Sequence, residues 1–160
     1  RQFVLQMDKQ TLVEALKKEI RSQYERSLKA LAGAEEAATG DDTKAEGKYD
    51  TRGLEASYLA AGQAEQADEL ARAVDAIDAF TFEDFDIDDT IAQGAIVEGD
   101  LDGYLIYYFL APAGGGLQLK SEDDELVTVL GPSSPLRNQL IGKTTGFILD
   151  DPSLMVLEVM

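Results

Sequence analysis

Few residues in this 160-residue chain carry side chains suited to chemistry. It has no histidine and no cysteine, which removes the commonest general base and the thiolates of metal sites and disulfides. Carboxylates remain, 31 Asp and Glu against 14 Lys and Arg. Three of them, Asp41, Asp42 and Glu46, fall in or just after the turn-forming run Thr39-Gly40-Asp41-Asp42-Thr43. Asp123-Asp124-Glu125 could offer oxygens to calcium, but it lacks the alternating ligands and central glycine of an EF-hand loop and reads as a solvated turn. Pro112 to Gly116 has the glycine content of a phosphate cradle without its lysine or its strand-loop-helix setting, and reads as a surface loop. No Ser, Lys or carboxylate in the second half stands at a recognisable catalytic spacing.

The elements that position the three tip carboxylates are two long helices. From Lys9 to Ala32 there is no Gly or Pro, and Leu12, Leu16, Ile20, Tyr24, Leu28 and Leu31 recur every three or four residues among charged ones. Gly33 and the turn run interrupt this pattern. A second stripe follows from near Tyr49 through Leu54, Tyr58, Ala61, Ala64, Ala67, Leu70, Val74 and Ile77. Helices of roughly 25 to 30 residues, about 40 Å each at 1.5 Å per residue, joined by a short connector pack as an antiparallel hairpin. The expected hairpin spans residues 7–79. Arg1 to Gln6 precede Met7, which reads as a natural start, and are set aside.

Residues 80–160 read as a second, small domain. Phe80, Phe82 and Phe85 among acids suggest a linker whose aromatics pack where the modules meet. Short β-prone runs follow at 91–97, 104–110, 116–119, 126–130, 147–149 and 154–159, separated by Gly, Pro, Asp and Ser. Gly99 to Gly103 reads as a hairpin turn, and the short connections imply antiparallel pairing. Ser134-Pro135 opens a short helix through Ile141, with Gly142 after it. The fold class is therefore α+β: a long antiparallel helical hairpin, then a small antiparallel β domain with one short helix.

Charge is spread unevenly, 16 acids and 11 bases in residues 1–80 against 15 acids and 3 bases in residues 81–160. So acidic a surface repels phosphates and argues against extended DNA binding. No apolar run is long enough to span a bilayer and no secretion signal is evident, so a cytoplasmic protein is expected.

Taken together, the halves resemble the GreA/GreB family of bacterial transcription elongation factors over roughly residues 8–160. Ser134-Pro135-Leu136-Arg137-Asn138-Gln139-Leu140-Ile141-Gly142-Lys143 resembles the family's Ser-Pro-hydrophobic segment ending in Leu-hydrophobic-Gly-Lys. Ile91, Gly94, Ala95 and Val97 resemble its Ile-x-x-Gly-Ala-x-Val strand, and Lys48-Tyr49-Asp50 to Tyr58-Leu59-Ala60 the start of its second coiled-coil helix. The resemblance implies a β domain of FKBP-like topology that docks on RNA polymerase, with Ser134, Pro135 and Leu136 as contact residues, and a coiled coil entering the polymerase's secondary channel. It also implies that tip carboxylates help the polymerase hold catalytic magnesium, since a hard cation takes oxygen ligands. Here Asp41, Asp42 and Glu46 would serve, the factor having no cofactor of its own. The tip departs from the family motif: with Gly40-Asp41 aligned to its Gly-Asp, Lys44 stands where the family has Glu, and with Tyr49 aligned to its Tyr, Asp42 holds the Asp position and Ala45 stands where the family has Glu. Lys44 and Lys48 would oppose a bound cation.

The leading expectation is an accessory factor, not an enzyme and expected as a monomer, that promotes cleavage of backtracked transcripts by RNA polymerase. A secondary-channel regulator that does not cleave is one alternative. A structural coiled-coil interaction module is another.

Overall fold

The computed structural model describes residues 7–39 and 51–160. Two compact units emerge, Arg1–Lys17 with Ala76–Met160, and Lys18–Asp75.

Helix α1 (Lys9–Thr39) runs 31 residues, about 46 Å at 1.5 Å per residue, and α2 (Arg52–Ala79) runs 28. Asp8 caps α1: its carboxylate accepts from the main-chain N–H of Gln10 at 3.1 Å and from the Thr11 hydroxyl at 2.9 Å. The Thr11 hydroxyl is the main cause holding the Asp8 carboxyl below its ordinary range. The helix continues past Gly33, where the sequence pattern breaks, because Ala34 to Ala38 are strong helix formers and one glycine costs only about 1 kcal/mol.

In the Lys18–Asp75 unit the two helices form the hairpin, with Ile20, Ser27 and Ala34 buried on α1 and Ala67 on α2. The stripe expected on the first half of α2 is out of phase. Leu54, Tyr58 and Leu59 are 54, 69 and 57% exposed. Gly53, Ala56, Ala60, Gln63 and Ala64 are the half-buried positions instead.

The other unit is built on one six-stranded sheet in the order β3-β4-β2-β1-β6-β5. Its strands are β1 (Ile96–Leu101), β2 (Tyr104–Leu110), β3 (Gln118–Lys120), β4 (Leu126–Leu130), β5 (Ile148–Leu149) and β6 (Leu154–Val159). A short helix, α3 (Pro135–Leu140), lies between β4 and β5. The β1–β2 turn is only Asp102-Gly103, with φ of 52° and 91°, the left-handed pair of a two-residue type I′ turn. The Asp100 side chain accepts from Gly103 N–H at 2.8 Å and fixes it. Four junctions are antiparallel, whereas β2 and β4 pair in parallel. The reason is that β3 pairs outside β4 through a tight loop, and the rule that short connections give antiparallel neighbours applies only to strands that are themselves neighbours.

One face of the sheet carries Val97, Leu110, Leu130, Leu154 and Val156 in a core with Ile91 and Leu140. The other carries Ile96, Tyr107, Phe109, Val127 and Val129, all buried. On that side Phe82 packs against Phe109 with ring centroids 5.4 Å apart, and Phe80 meets Phe82 edge-on at 4.8 Å. The linker aromatics, each half-buried, thus pack within this unit.

Candidate functional site

The sequence singled out two segments of the β unit, and they lie side by side. Ile91 N–H donates to the Lys143 carbonyl at 2.8 Å, and Gly142 N–H returns a bond to the Ile91 carbonyl at 2.7 Å. Gly142 follows α3 with φ +82°, a left-handed conformation suited to glycine. Arg137 Nη2 donates to Gln93 Oε1 at 2.9 Å, so the Arg137 guanidinium is held along the surface. Gly94, at φ +97°, leaves no room for a side chain, since a Cβ there would stand 3.0 Å from the Phe80 ring.

On this frame sit the three expected contact residues. Ser134 caps α3, its hydroxyl accepting from Arg137 N–H at 3.2 Å, and Pro135 takes the first helical position. Pro135 is exposed; Leu136 is half-buried and packs on the core beside Leu140. Next to Ser134 runs an open groove of about 330 Å³, lined by Gly115, Gly116, Thr128, Val129, Leu130, Gly131 and Ser133. The groove exists because Gly115 and Gly131 bring two main chains together: a Cβ on Gly115 would lie 3.0 Å from Gly131 N. The arrangement offers an exposed proline, a partly exposed leucine and a glycine-floored groove, a surface for protein contact. It offers no nucleophile or base.

Asp41, Asp42 and Glu46 lie outside the described residues. Among the described residues no group of three or more acidic side chains is placed to hold a metal ion, and no helix is long and apolar enough to cross a membrane.

One built-in polar anchor is absent from the sequence reading. Lys9 is 7% exposed, and its Nζ donates to the main-chain oxygens of Glu83 at 2.7 Å, Gly94 at 2.8 Å and Met160 at 2.9 Å. The Phe85 ring lies 4.7 Å from the same nitrogen. Burial pushes the ammonium down to about 8, with Asp84 opposing. A signal was present, because Lys9 falls on the stripe of Leu12, Leu16 and Ile20, where a charge has no place unless it is paired.

No family model and no curated protein matches the chain. Solved structures do. The chain is 17% identical to GreA factor homolog 1 (Gfh1) of Thermus thermophilus, covering 90% of this chain and 94% of that one, with a TM-score of 0.36. To Thermus aquaticus Gfh1 it is 18% identical, covering 91 and 92%, with a TM-score of 0.33. A further structure of the transcription factor Gfh1 is 19% identical, covering 92% of each, at 0.34. The expectation of transcript cleavage is corrected by these matches, which are to a GreA factor homolog. Across 90% of its length the chain is similar, at 17% identity, to a GreA factor homolog.

Proposed function

We propose that this protein is an accessory regulator of bacterial RNA polymerase that docks through its β unit, occupies the secondary channel with its hairpin and does not promote cleavage. It acts on the polymerase without catalysing a reaction itself. The observation that carries the reading is the joint placement of the two Gre-like segments, Ile91–Val97 and Ser134–Lys143, which are tied together by main-chain bonds and leave Pro135 and Leu136 at the surface. Two helices of 31 and 28 residues supply a hairpin long and thin enough to enter a channel. The departure at the tip, which puts Lys44 in one alignment and Ala45 in the other where the Gre motif has Glu, supports occupancy without cleavage.

The test is a binding assay with RNA polymerase core run beside RNA cleavage in a backtracked complex. The expected result is binding, competition with a cleavage factor and no acceleration of cleavage. Pro135→Ala with Leu136→Ala is expected to weaken binding at least tenfold, while Asp41→Ala with Asp42→Ala leaves the regulatory effect largely intact. Failure to bind core polymerase would overturn the reading.

A further inference from the structure

The ladder between β2 and β4 ends at Tyr107 and Val127, although β2 begins three residues earlier. Leu110 bonds to Ala95 across the β1–β2 ladder, and pairs on an antiparallel ladder alternate between bonded and non-bonded. The main-chain groups of Tyr104, Ile106 and Tyr108 therefore face β1, and those of Leu105 face β4. On β4, Ser121 N–H bonds to Glu125 O and Val129 N–H to Leu117 O, so odd-numbered residues face β3. Leu126 N–H faces β2 in consequence. Leu105 and Leu126 thus turn main-chain groups toward each other beyond the last ladder pair.

Where the strands part, a groove of about 430 Å³ opens, lined by Leu105, Ile106, Tyr108, Asp124, Glu125 and Leu126 among others. Leu105 and Leu126 are 53 and 51% exposed. The acidic wall is held firmly: the buried Ser121 accepts from Glu125 N–H through its hydroxyl at 3.1 Å and from Asp124 N–H through its carbonyl at 3.0 Å. Glu98, bonded to the Tyr107 hydroxyl at 3.0 Å, lies on the face of Leu105, opposite to Ile106 and Tyr108, and Glu122 accepts from the Thr11 hydroxyl at 3.3 Å. No base lines the groove; Lys120, paired with Leu126, is the nearest along the ladder.

We propose that this parting of β2 and β4 is a docking groove for an extended segment of a partner protein in which Lys or Arg alternates with apolar residues. The segment adds as a short strand on Leu105. Main-chain groups left beyond the end of a ladder can pair with an extended chain, alternate side chains of such a strand point to opposite sides, and the acidic wall selects the basic ones. The groove is distinct from the surface at Ser134, and its occupant need not be the polymerase.

The test uses the full chain and a labelled six-residue probe, Lys-Val-Lys-Leu-Lys-Val, followed by fluorescence anisotropy and by amide chemical shifts. Saturable binding is expected, with shifts concentrated at Leu105, Ile106 and Leu126. A probe with Glu for Lys is expected to bind at least tenfold more weakly, as is one N-methylated on alternate main-chain nitrogens along the edge that would face Leu105. Asp124→Lys with Glu125→Lys should lower affinity at least tenfold. Asp68→Lys with Glu69→Lys, the same charge change on the hairpin, should leave it within twofold. Equal loss in both variants would make the binding a non-specific charge effect and overturn the proposal. Indifference to N-methylation, shifts centred elsewhere, or no binding would do so too.

Discussion

Replacing Lys9 by Met keeps the aliphatic stem and removes the ammonium from three main-chain oxygens at 2.7 to 2.9 Å. Each hydrogen bond to a charged group is worth about 1.5–3 kcal/mol, but the ammonium was itself desolvated at a cost of several kcal/mol, so the gross sum overstates its contribution. The acceptor at Gly94 is buried and left without its donor, whereas those at Glu83 and Met160 are partly buried and can regain water. One stranded acceptor at about 1–3 kcal/mol plus a partial loss at two others gives about 2–4 kcal/mol for Lys9→Met. That is a large share of the ~5–15 kcal/mol typical of a folded domain. Urea unfolding followed by near-ultraviolet circular dichroism should show a lower midpoint with an unchanged slope. A loss under about 0.5 kcal/mol would refute the anchor. The pH dependence tests it separately. With the folded ammonium at about 8 and its ordinary value 10.5, the unfolded chain binds the extra proton between these limits, so Lys9 makes stability rise with pH across that window. Lys9→Met lacks this gain, and the gap between wild type and variant should widen from pH 8 to 10.5. A narrowing gap would mean that the three oxygens hold the proton more tightly than burial expels it.

Gly99→Ala should destabilise the β unit by about 1–3 kcal/mol, because its Cβ would come 2.6 Å from the Leu154 side chain and 3.3 Å from the Met155 carbonyl; the β1–β6 register shifts between Glu98 and Gly99, and an unchanged thermal midpoint would show that this irregularity absorbs the methyl. Gly142→Ala has open space around it, so only its left-handed backbone resists, and the expected loss is about 1–2 kcal/mol by denaturant titration. Ser134→Ala removes the α3 cap at about 1 kcal/mol, and faster hydrogen exchange at the Arg137 amide is its local signature.

Much of the fold was legible because its signals were local. The turn, expected over Gly99–Gly103 and found at its last two residues, the Ser134-Pro135 helix start and the closing Gly142 each follow from what a few residues can do with their backbone. The parallel β2–β4 pair was not legible, because it depends on β3 taking the outer position, a choice no short segment encodes. The Ser134–Leu136 surface was legible as a segment. Its groove was not, since Gly115 and Gly131 approach each other only once the sheet is formed.

The phase of α2 shows where periodicity itself stops deciding. Between Gly53 and Ala67 the helix carries Ala or Gly on several sides, so one stripe through Leu54, Tyr58 and Ala61 and another through Gly53, Ala56, Ala60 and Ala64 both satisfy helical spacing. Counting apolar area favours the first stripe, because Leu and Tyr gain more from burial than Ala does. The folded hairpin takes the second. Its shielded positions on α2 are mostly small, whereas α1 buries Ile20 with Ser27 and Ala34 and leaves Leu28 41% exposed. Small residues let two helices approach within the closer part of the 8–10 Å range, where many weak main-chain contacts accumulate along the whole contact line. Which stripe is buried is a property of the pair of helices and not of α2 alone, and a single sequence pattern does not contain it.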